Sequence, residues 1–476
     1  MITENTKIAV IGAGPAGLTA AYQLTKHTPN VDLYELSPYV GGMCRTFELW
    51  GSKVDVGPHR FFSYDQRVNK IWLEVAQNDY DMVKRLTRIY YNNRFFAYPL
   101  KPFNAFANLG PFETVNCIFS YLKEKVSPTP LKNDFETWVI RRFGKRLYEI
   151  FFKTYSEKLW GIPCHELDSD FAAQRIKKLS LSEAIKNAFA KSGNHKTLVD
   201  EFAYPLHGTG MIYERMAQAI RTRGGKIFLK TPVQKILTQN RQVKGLQLVD
   251  GTQKEYDYII SSMPLTQLTQ RLDEAPDDIK AKASQLTYRN TIIVYLNIES
   301  NCLFPDNWLY IHSEKLKTGR ITNFNNWLPS LIGNPERTIL ALEYWCYEID
   351  EIWKSPDEVL INIAQEDIRN TGLIKGANIL DGYVLRIPKC YPVYKAGYKE
   401  ILKPIEKYLA TIQNLYPIGR YGAFKYNNQD HSILMGLLAA ENIIHDACHN
   451  LWEINTDYDT YQESVIITKT GLQKKS

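Results

Sequence analysis

A glycine-rich turn between an apolar run and a helical pattern constrains this chain more than any other feature. It reads KIAVIGAGPAGLTAAYQL, Lys7 to Leu24. Ile8, Ala9, Val10 and Ile11 suit a buried parallel strand. Gly12, Gly14 and Gly17 follow with the spacing G-x-G-x-x-G. The first glycine permits a sharp turn, the second lets backbone approach a pyrophosphate, and the third lets a helix pack close to the strand. Pro15 and Ala16 lie inside that turn and count with the glycines as cofactor-binding positions. Leu18, Ala21, Tyr22 and Leu24 then recur near helical spacing. The helix start offers unpaired N–H groups and a positive dipole end to phosphates. A second apolar run, VDLYELS, carries Glu35 eighteen residues past Gly17, with Leu36 beside it. An acid there is placed to hold ribose hydroxyls. Strand, glycines, helix, strand and acid in this order read as a dinucleotide site. A turn in a generic βαβ unit is the bland reading and carries little weight beside that order.

The rest of the composition sets the class. With 476 residues the chain is too long for one core, and the length prior suggests roughly three domains. At 44% hydrophobic and 23% charged it is globular in character. No apolar run reaches the roughly eighteen residues of a membrane span, so no stable membrane insertion is expected. The start, MITENTKIAVIG, lacks the basic-then-apolar order of a signal peptide. The seven cysteines are scattered singly, without a C-x-x-C pair, which suits free thiols in a reducing, cytoplasmic setting. The net charge, 58 − 51 = +7, is mild for this length. It is compatible with an anionic small substrate and does not call for nucleic acid. No metal motif and no G-x-S-x-G elbow is present.

Periodicity divides the chain further. Residues 1–65, 204–265 and 395–450 are expected to form a discontinuous dinucleotide-binding domain. Residues 66–203 read as mostly helical, with RVNKIWLEVAQ, ETVNCIFSYLKEKV and DFETWVIRRFGKRLYEIFFKTYSEKLW as segments. Residues 266–394 carry the strand-like runs TIIVYLNI, NWLYIHS, RITNFNNW and TILALEYWC of a second, substrate-domain sheet. Residues 451–476 read as a polar tail that frays.

Further motifs bear on which dinucleotide binds. In GGMCRTFELWGSKVDVGPHRFF, the residues Gly41-Gly42, Arg45, Thr46, Asp55, Gly57 and Pro58 resemble the second FAD segment of the flavin amine oxidase and glutathione-reductase-like superfamily. That resemblance implies FAD rather than NAD. YIISSMP, Tyr258 to Pro264, resembles the strand that returns to the FAD site in this superfamily, and the resemblance counts Val233 among the cofactor-binding positions. The C-terminal stretch IGRYGAFKYNNQDHSILMGLLAAENI is a glycine-rich loop followed by a helix that begins near Asp430 or Ser432. A helix N-terminus there would stabilise negative charge on a reduced flavin. A surface connection is the bland alternative.

That stretch is similar to the flavin-binding motif of the UDP-galactopyranose mutases. The match covers Gly419-Arg420-Tyr421-Gly422, Lys425-Tyr426, Asn428-Gln429-Asp430-His431-Ser432 and Gly436. GPHRFF resembles the family's histidine loop, YSEKLWGIP its sugar-nucleotide cleft segment, and RIPKCYPVY its arginine followed by Tyr-Pro. The resemblance implies a glutathione-reductase-like α/β fold with a helical insert and a second mixed sheet. It implies a redox-neutral isomerase, active with reduced FAD, that interconverts pyranose and furanose forms of a nucleotide sugar for cell-surface glycans. In that family the reduced flavin N5 attacks the anomeric carbon and the ring opens and recloses. NAD(P)H is a possible external reductant. His59, Arg175, Arg320 and Arg420 are the implied catalytic residues, and Tyr155, Trp160, Arg175, Arg320, Tyr391 and Tyr426 the implied substrate contacts. Arginine forks suit a diphosphate leaving group. Taken singly, each arginine, tyrosine or tryptophan has a structural reading as well.

Two departures point elsewhere. The histidine loop reads Gly-Pro-His where the mutases usually have Gly-Gly-His. RFFAYPL and QRIKKLSL resemble mutase-like bacterial flavoproteins described only as FAD-dependent oxidoreductases. An oxidase or dehydrogenase of the amine oxidase or protoporphyrinogen oxidase type is the first rival, and a non-catalytic flavoprotein partner the second.

Overall fold

The computed structural model describes residues 2–171, 201–454, 465–469 and 471–474. Its first sheet has five parallel strands in the order Leu415–Pro417, Tyr258–Ser261, Ile8–Ile11, Val31–Tyr34 and Lys226–Phe228. The glycine-turn strand is thus central, buried on both faces as its unbroken apolar run requires. Alternation sends Ile8 and Val10 to one face, into a core with the helices Pro15–Leu24, Gly210–Thr222 and Gln429–Ile444. Ala9 and Ile11 face the other way, toward Ile236 and Leu246 of a three-stranded antiparallel sheet. A turn at Asp250-Gly251 joins two strands of that small sheet, Gln242–Leu248 and Gln253–Glu255. The Pro15–Leu24 and Gln429–Ile444 helices meet closely. A Cβ on Gly436 would lie 2.3 Å from the carbonyl oxygen of Ala16.

The second sheet has seven strands, in the order Ile379–Pro392, Tyr288–Ile298, Thr338–Cys346, Arg320–Asn323, Trp308–Ile311, Thr87–Tyr91 and Arg94–Ala97. One face buries Ile292, Val294, Leu340 and Leu342 beneath the Asp357–Asn370 helix. The other buries Ile293, Tyr295 and Ala341 with Trp308 and Trp327. The four strand-like runs expected in 266–394 all lie in this sheet.

Two expectations are refined. The described part of 66–203 is mostly helical, as expected, though not helical throughout: Tyr80–Lys84, Thr87–Tyr91 and Arg94–Ala97 are strands. Thr87, Ile89 and Tyr90 are buried on a β-branched and aromatic run, and Thr87–Tyr91 pairs in parallel with Trp308–Ile311. The tail is not uniformly frayed either. Val465–Thr468 and Gly471–Lys474 form a hairpin, with Ile467 buried and the Tyr80 hydroxyl donating to the Thr468 carbonyl at 2.9 Å. Three consecutive β-branched residues, Val465 to Ile467, outweigh the polar surroundings. Among the described residues no helix is long and apolar enough to cross a membrane, and no side-chain group could hold a metal.

Candidate functional site

The glycine turn opens onto a cavity of about 640 Å³. Its geometry explains each glycine separately. Gly12 has φ +98°, and a Cβ there would lie 2.2 Å from Ser262 Oγ. A Cβ on Gly17 would lie 1.9 Å from the Gly12 carbonyl, so only glycine lets the helix close on the strand. Gly14 meets nothing within 4 Å: its open side faces the cavity. Gly14 also caps the helix without a side-chain hydrogen bond, which leaves the helix-end N–H groups available.

Glu35 ends the second strand and ties down the turn. Its Oε2 accepts from the Ala13 N–H at 2.7 Å and its Oε1 from the Ser37 N–H at 2.8 Å. Gly41 donates to the Ala13 carbonyl at 2.7 Å, which sets the Gly42–Arg45 segment against the same turn. The Arg45 guanidinium stacks 4.9 Å from the Tyr39 ring centroid. At the far end, the Gln429–Ile444 helix starts at Asn428 with no side-chain cap. Asn427, also lining the cavity, has a buried Oδ1 without a hydrogen-bond partner among the described residues. Two uncapped helix starts, an open glycine and an unpaired amide oxygen form a cradle that fits a dinucleotide.

Of the expected cofactor positions, Gly12, Gly14, Pro15, Ala16, Glu35 and Leu36 line the cavity. So do Gly42, Arg45, Pro58, His59, Val233 and Gly419. Arg420, Asn428, Gln429, Asp430 and Ser432 complete the wall. Gly17 and Gly57 stand behind it, in the turns that shape it.

The cavity is cationic. Seven lysine or arginine side chains line it against two acids, Glu35 and Asp430. Arg420 is held by the Asn427 carbonyl at 2.8 Å and the Cys390 carbonyl at 3.4 Å. Its guanidinium lies 5.2 Å from the ring centroids of both Tyr391 and Tyr426. Among the described residues no carboxylate pairs with it. Arg320 differs: its Nε and Nη2 engage both oxygens of Glu343 at 2.6 and 2.5 Å. The Glu343 side chain is 2% exposed, so this is a buried pair. Lys158 braces the same region. Its Nζ donates to the carbonyls of Ser313, Leu316 and Thr318, the turn that leads into Arg320. Burial pushes the Lys158 amine down to about 8.

His59 presents its carbonyl to Thr209 Oγ1 at 2.9 Å and to Gln429 Nε2 at 3.3 Å. Burial, reinforced by the charges of Arg420 and Arg320, pushes its ring down to about 3. The imidazole is therefore neutral at physiological pH. Behind it, Asp55 accepts hydrogen bonds from Thr46, Tyr204 and the Thr209 N–H, and burial raises its carboxyl to about 6.

A second cavity of about 320 Å³ adjoins the first, and Tyr310 and Tyr426 line both. Its wall is mostly apolar, with Phe106, Phe135, Phe143 and Phe151 from the helical segment. Tyr155 lines it, stacked on His312 at 5.1 Å and 14°. Tyr391 stacks on Tyr426 at 5.4 Å and 17°. Trp160 lines neither cavity. It is fully buried behind this wall, 5.6 Å from Tyr426 and 6.3 Å from Tyr394. Arg175 lies outside the described residues. Sequence reasoning missed Glu343, Lys158, Tyr310 and His312. A lone acid inside the apolar run TILALEYWC was a visible signal for Glu343, and Lys158 lies in the YSEKLWGIP segment already singled out; Tyr310 and His312 carried none.

Comparison with known proteins agrees with this geometry. A family profile described as "Flavin containing amine oxidoreductase" matches residues 15–444. A coproporphyrinogen III oxidase of Staphylococcus aureus is 22% identical over 472 residues, covering 92% of this chain and 98% of that protein. A Klebsiella pneumoniae protein named "Probable UDP-galactopyranose mutase" is 28% identical over 182 residues, 34% of this chain and 43% of its own. Among solved structures, a reduced UDP-galactopyranose mutase superposes with a TM-score of 0.82 at 23% identity, covering 96% of this chain and 98% of that one.

Proposed function

The chain belongs to the family of flavin-containing amine oxidoreductases, and from that premise we propose that it is an FAD-dependent mutase of a nucleotide sugar. On this reading it interconverts pyranose and furanose forms of a UDP-galactose-like substrate, with no net redox change. The observation that carries the reading is Arg420, a buried guanidinium fixed by two carbonyls and two tyrosine rings, with no carboxylate partner among the described residues. A preorganised, uncompensated cation is suited to charge that builds on a departing diphosphate. The bound FAD, when reduced, supplies the electron-rich centre the chemistry needs, and NAD(P)H is the proposed reductant.

The chain's own residues have the following parts in this proposal. The glycine turn and Glu35 hold the dinucleotide, with Gly42, Arg45, Val233 and the Asn428–Ser432 segment around it. Arg420 and Arg320 meet the diphosphate; Arg175, outside the described residues, is proposed for the same role from the resemblance alone. Arg320 keeps Nη1 clear of Glu343, so its fork has one free edge. Tyr155 and Tyr391 offer neutral hydroxyls, since burial raises both well above the usual phenol range, and Tyr426 stacks on Tyr391 beside them. Trp160 backs the tyrosine wall through ring contacts with Tyr391, Tyr394 and Tyr426. His59, neutral, lines the cofactor cavity without adding charge.

One observation favours a second reading. The mostly apolar second cavity, with a relative named coproporphyrinogen III oxidase matched over 92% of the chain, suits a flavin oxidase acting on a tetrapyrrole-like substrate. A single experiment separates the two. Purified protein is reduced anaerobically and incubated with UDP-galactopyranose and UDP-galactofuranose, and the products are resolved by chromatography. Interconversion over many turnovers supports the mutase. No conversion, together with oxygen uptake on coproporphyrinogen, supports the oxidase.

A further inference from the structure

Six of the seventeen large apolar side chains that stand exposed among the described residues belong to one helix, Pro111–Val126. Such concentration is unusual for the surface of a soluble monomer. Phe112, Val115, Phe119, Leu122 and Val126 recur at steps of three and four, so they form one stripe. Phe112 and Val126, at its two ends, are each 88% exposed, and Phe119 in the middle is 69% exposed. Only Cys117 and Glu124 of this helix are buried.

The charges around the stripe are one-sided. Its two acids are occupied within the fold. Glu113 takes a two-pronged contact from Arg146 at 2.5 and 2.9 Å. Glu124 accepts from the Thr129 N–H at 2.6 Å and the Thr129 hydroxyl at 2.9 Å. Lys123 and Lys125, in the last turns of the same helix, are exposed. An exposed apolar face with phenylalanine and leucine, rimmed by lysines, is the composition of a helix that lies in a membrane interface.

From the stripe and its lysine rim we infer that the Pro111–Val126 helix docks the protein on an anionic lipid surface. This is contact in the plane of the interface, not a span. It does not depend on which reaction the flavin site performs. A second copy of the chain is a poorer occupant. A stripe about 24 Å long and about 10 Å wide offers roughly 240 Å². A standard interface takes about 800 Å² from each partner. Lys123 and Lys125 would also face their own images in a symmetric pair. The adjoining Pro102–Leu109 helix lines the apolar second cavity with Pro102, Ala105 and Phe106. The docking face is therefore one helix away from an apolar compartment.

The test is co-sedimentation of the flavin-loaded protein with vesicles of phosphatidylcholine, with and without phosphatidylglycerol. The wild type is expected in the pellet with phosphatidylglycerol vesicles at low salt, and release is expected as salt rises. The double variant F112S/F119S should lose binding by about tenfold or more, because two large apolar side chains leave the interface. K123E/K125E should lose the preference for phosphatidylglycerol. All three proteins should keep the same flavin content and melting temperature, since these side chains stand outside the core. Wild type remaining in the supernatant with phosphatidylglycerol vesicles overturns the inference. So does equal binding by F112S/F119S. A wild-type dimer that ignores vesicles and dissociates in F112S/F119S overturns it in favour of a second copy.

Discussion

Arg320 and Glu343 face each other across two antiparallel strands and share a two-pronged ion pair, at 2.6 and 2.5 Å, where Arg320 lines the large cavity. The pair fixes the guanidinium before any ligand arrives. Removing one member leaves the other charged and buried, which typically costs about 3–5 kcal/mol. Arg320→Ala and Glu343→Ala should therefore each lower unfolding stability by roughly that amount. The double variant R320M/E343L should recover most of it. Urea denaturation of the three variants checks this. Single variants as stable as wild type would show that the pair carries no structural charge balance.

The glycines separate fold from cofactor. Gly14→Val adds a side chain where the turn is open, so the apo fold should persist while the pyrophosphate space is filled. Gly17→Ala drives a Cβ into the Gly12 carbonyl, so the strand–helix unit itself should be disrupted. Absorbance of bound flavin and the circular dichroism of each variant distinguish the two cases. Full flavin occupancy in folded Gly14→Val protein would remove the pyrophosphate from this turn.

Arg420 is the cation whose loss should be felt most in turnover. By analogy with removed oxyanion donors, Arg420→Ala should cost about 2–4 kcal/mol of transition-state stabilisation, a hundredfold or more in rate. Arg420→Lys should not restore it. A single ammonium cannot reach two carbonyls and lie on two rings at once. Turnover per bound flavin is the readout, because the Gly419–Gly422 segment also touches the cofactor cavity. Wild-type turnover in Arg420→Ala would move the diphosphate elsewhere.

Acid should weaken the fold through its histidines. Burial pushes His59 and His312 from 6.5 down to about 3, so both take up protons on unfolding between those values. Their contribution to stability is present above pH 6.5 and is lost as pH falls toward 3. Asp55 acts in the opposite sense. Burial raises it from 3.8 to about 6, so its folded form holds a proton more tightly and gains stability as pH drops through 6. Two histidines outweigh one aspartate, and stability should fall from neutral pH to about pH 5. His312→Gln should flatten that fall, and Asp55→Asn should steepen it. Chemical denaturation at both pH values decides; an unchanged slope in His312→Gln would contradict the assignment.

What the sequence made legible was local. The strand–glycine–helix–acid order, the Gly419–Ser432 segment and the Gln429–Ile444 helix each carry their signal within about twenty residues, and the wall of the large cavity is built from them. What stayed hidden depends on register between distant strands. Arg320 and Glu343 meet only because Arg320–Asn323 pairs antiparallel with Thr338–Cys346. Thr87–Tyr91 joins the large sheet only through its parallel pairing with Trp308–Ile311. The second cavity draws its wall from Ile89 through Tyr426, and no single stretch announces it. Trp160 shows the limit of motif reasoning: a segment that resembles a sugar cleft sends Tyr155 to a cavity and Trp160 into the core behind it.

The most direct measurement of the central claim is the number of reducing equivalents consumed per molecule of product. The protein is reduced once under anaerobic conditions, given excess UDP-galactofuranose, and followed by product chromatography and flavin absorbance. The mutase account predicts many molecules of UDP-galactopyranose per flavin, with the flavin still reduced at the end and no further reductant consumed. Product formed only with matched oxygen uptake, or one product per flavin with reoxidation, would contradict it.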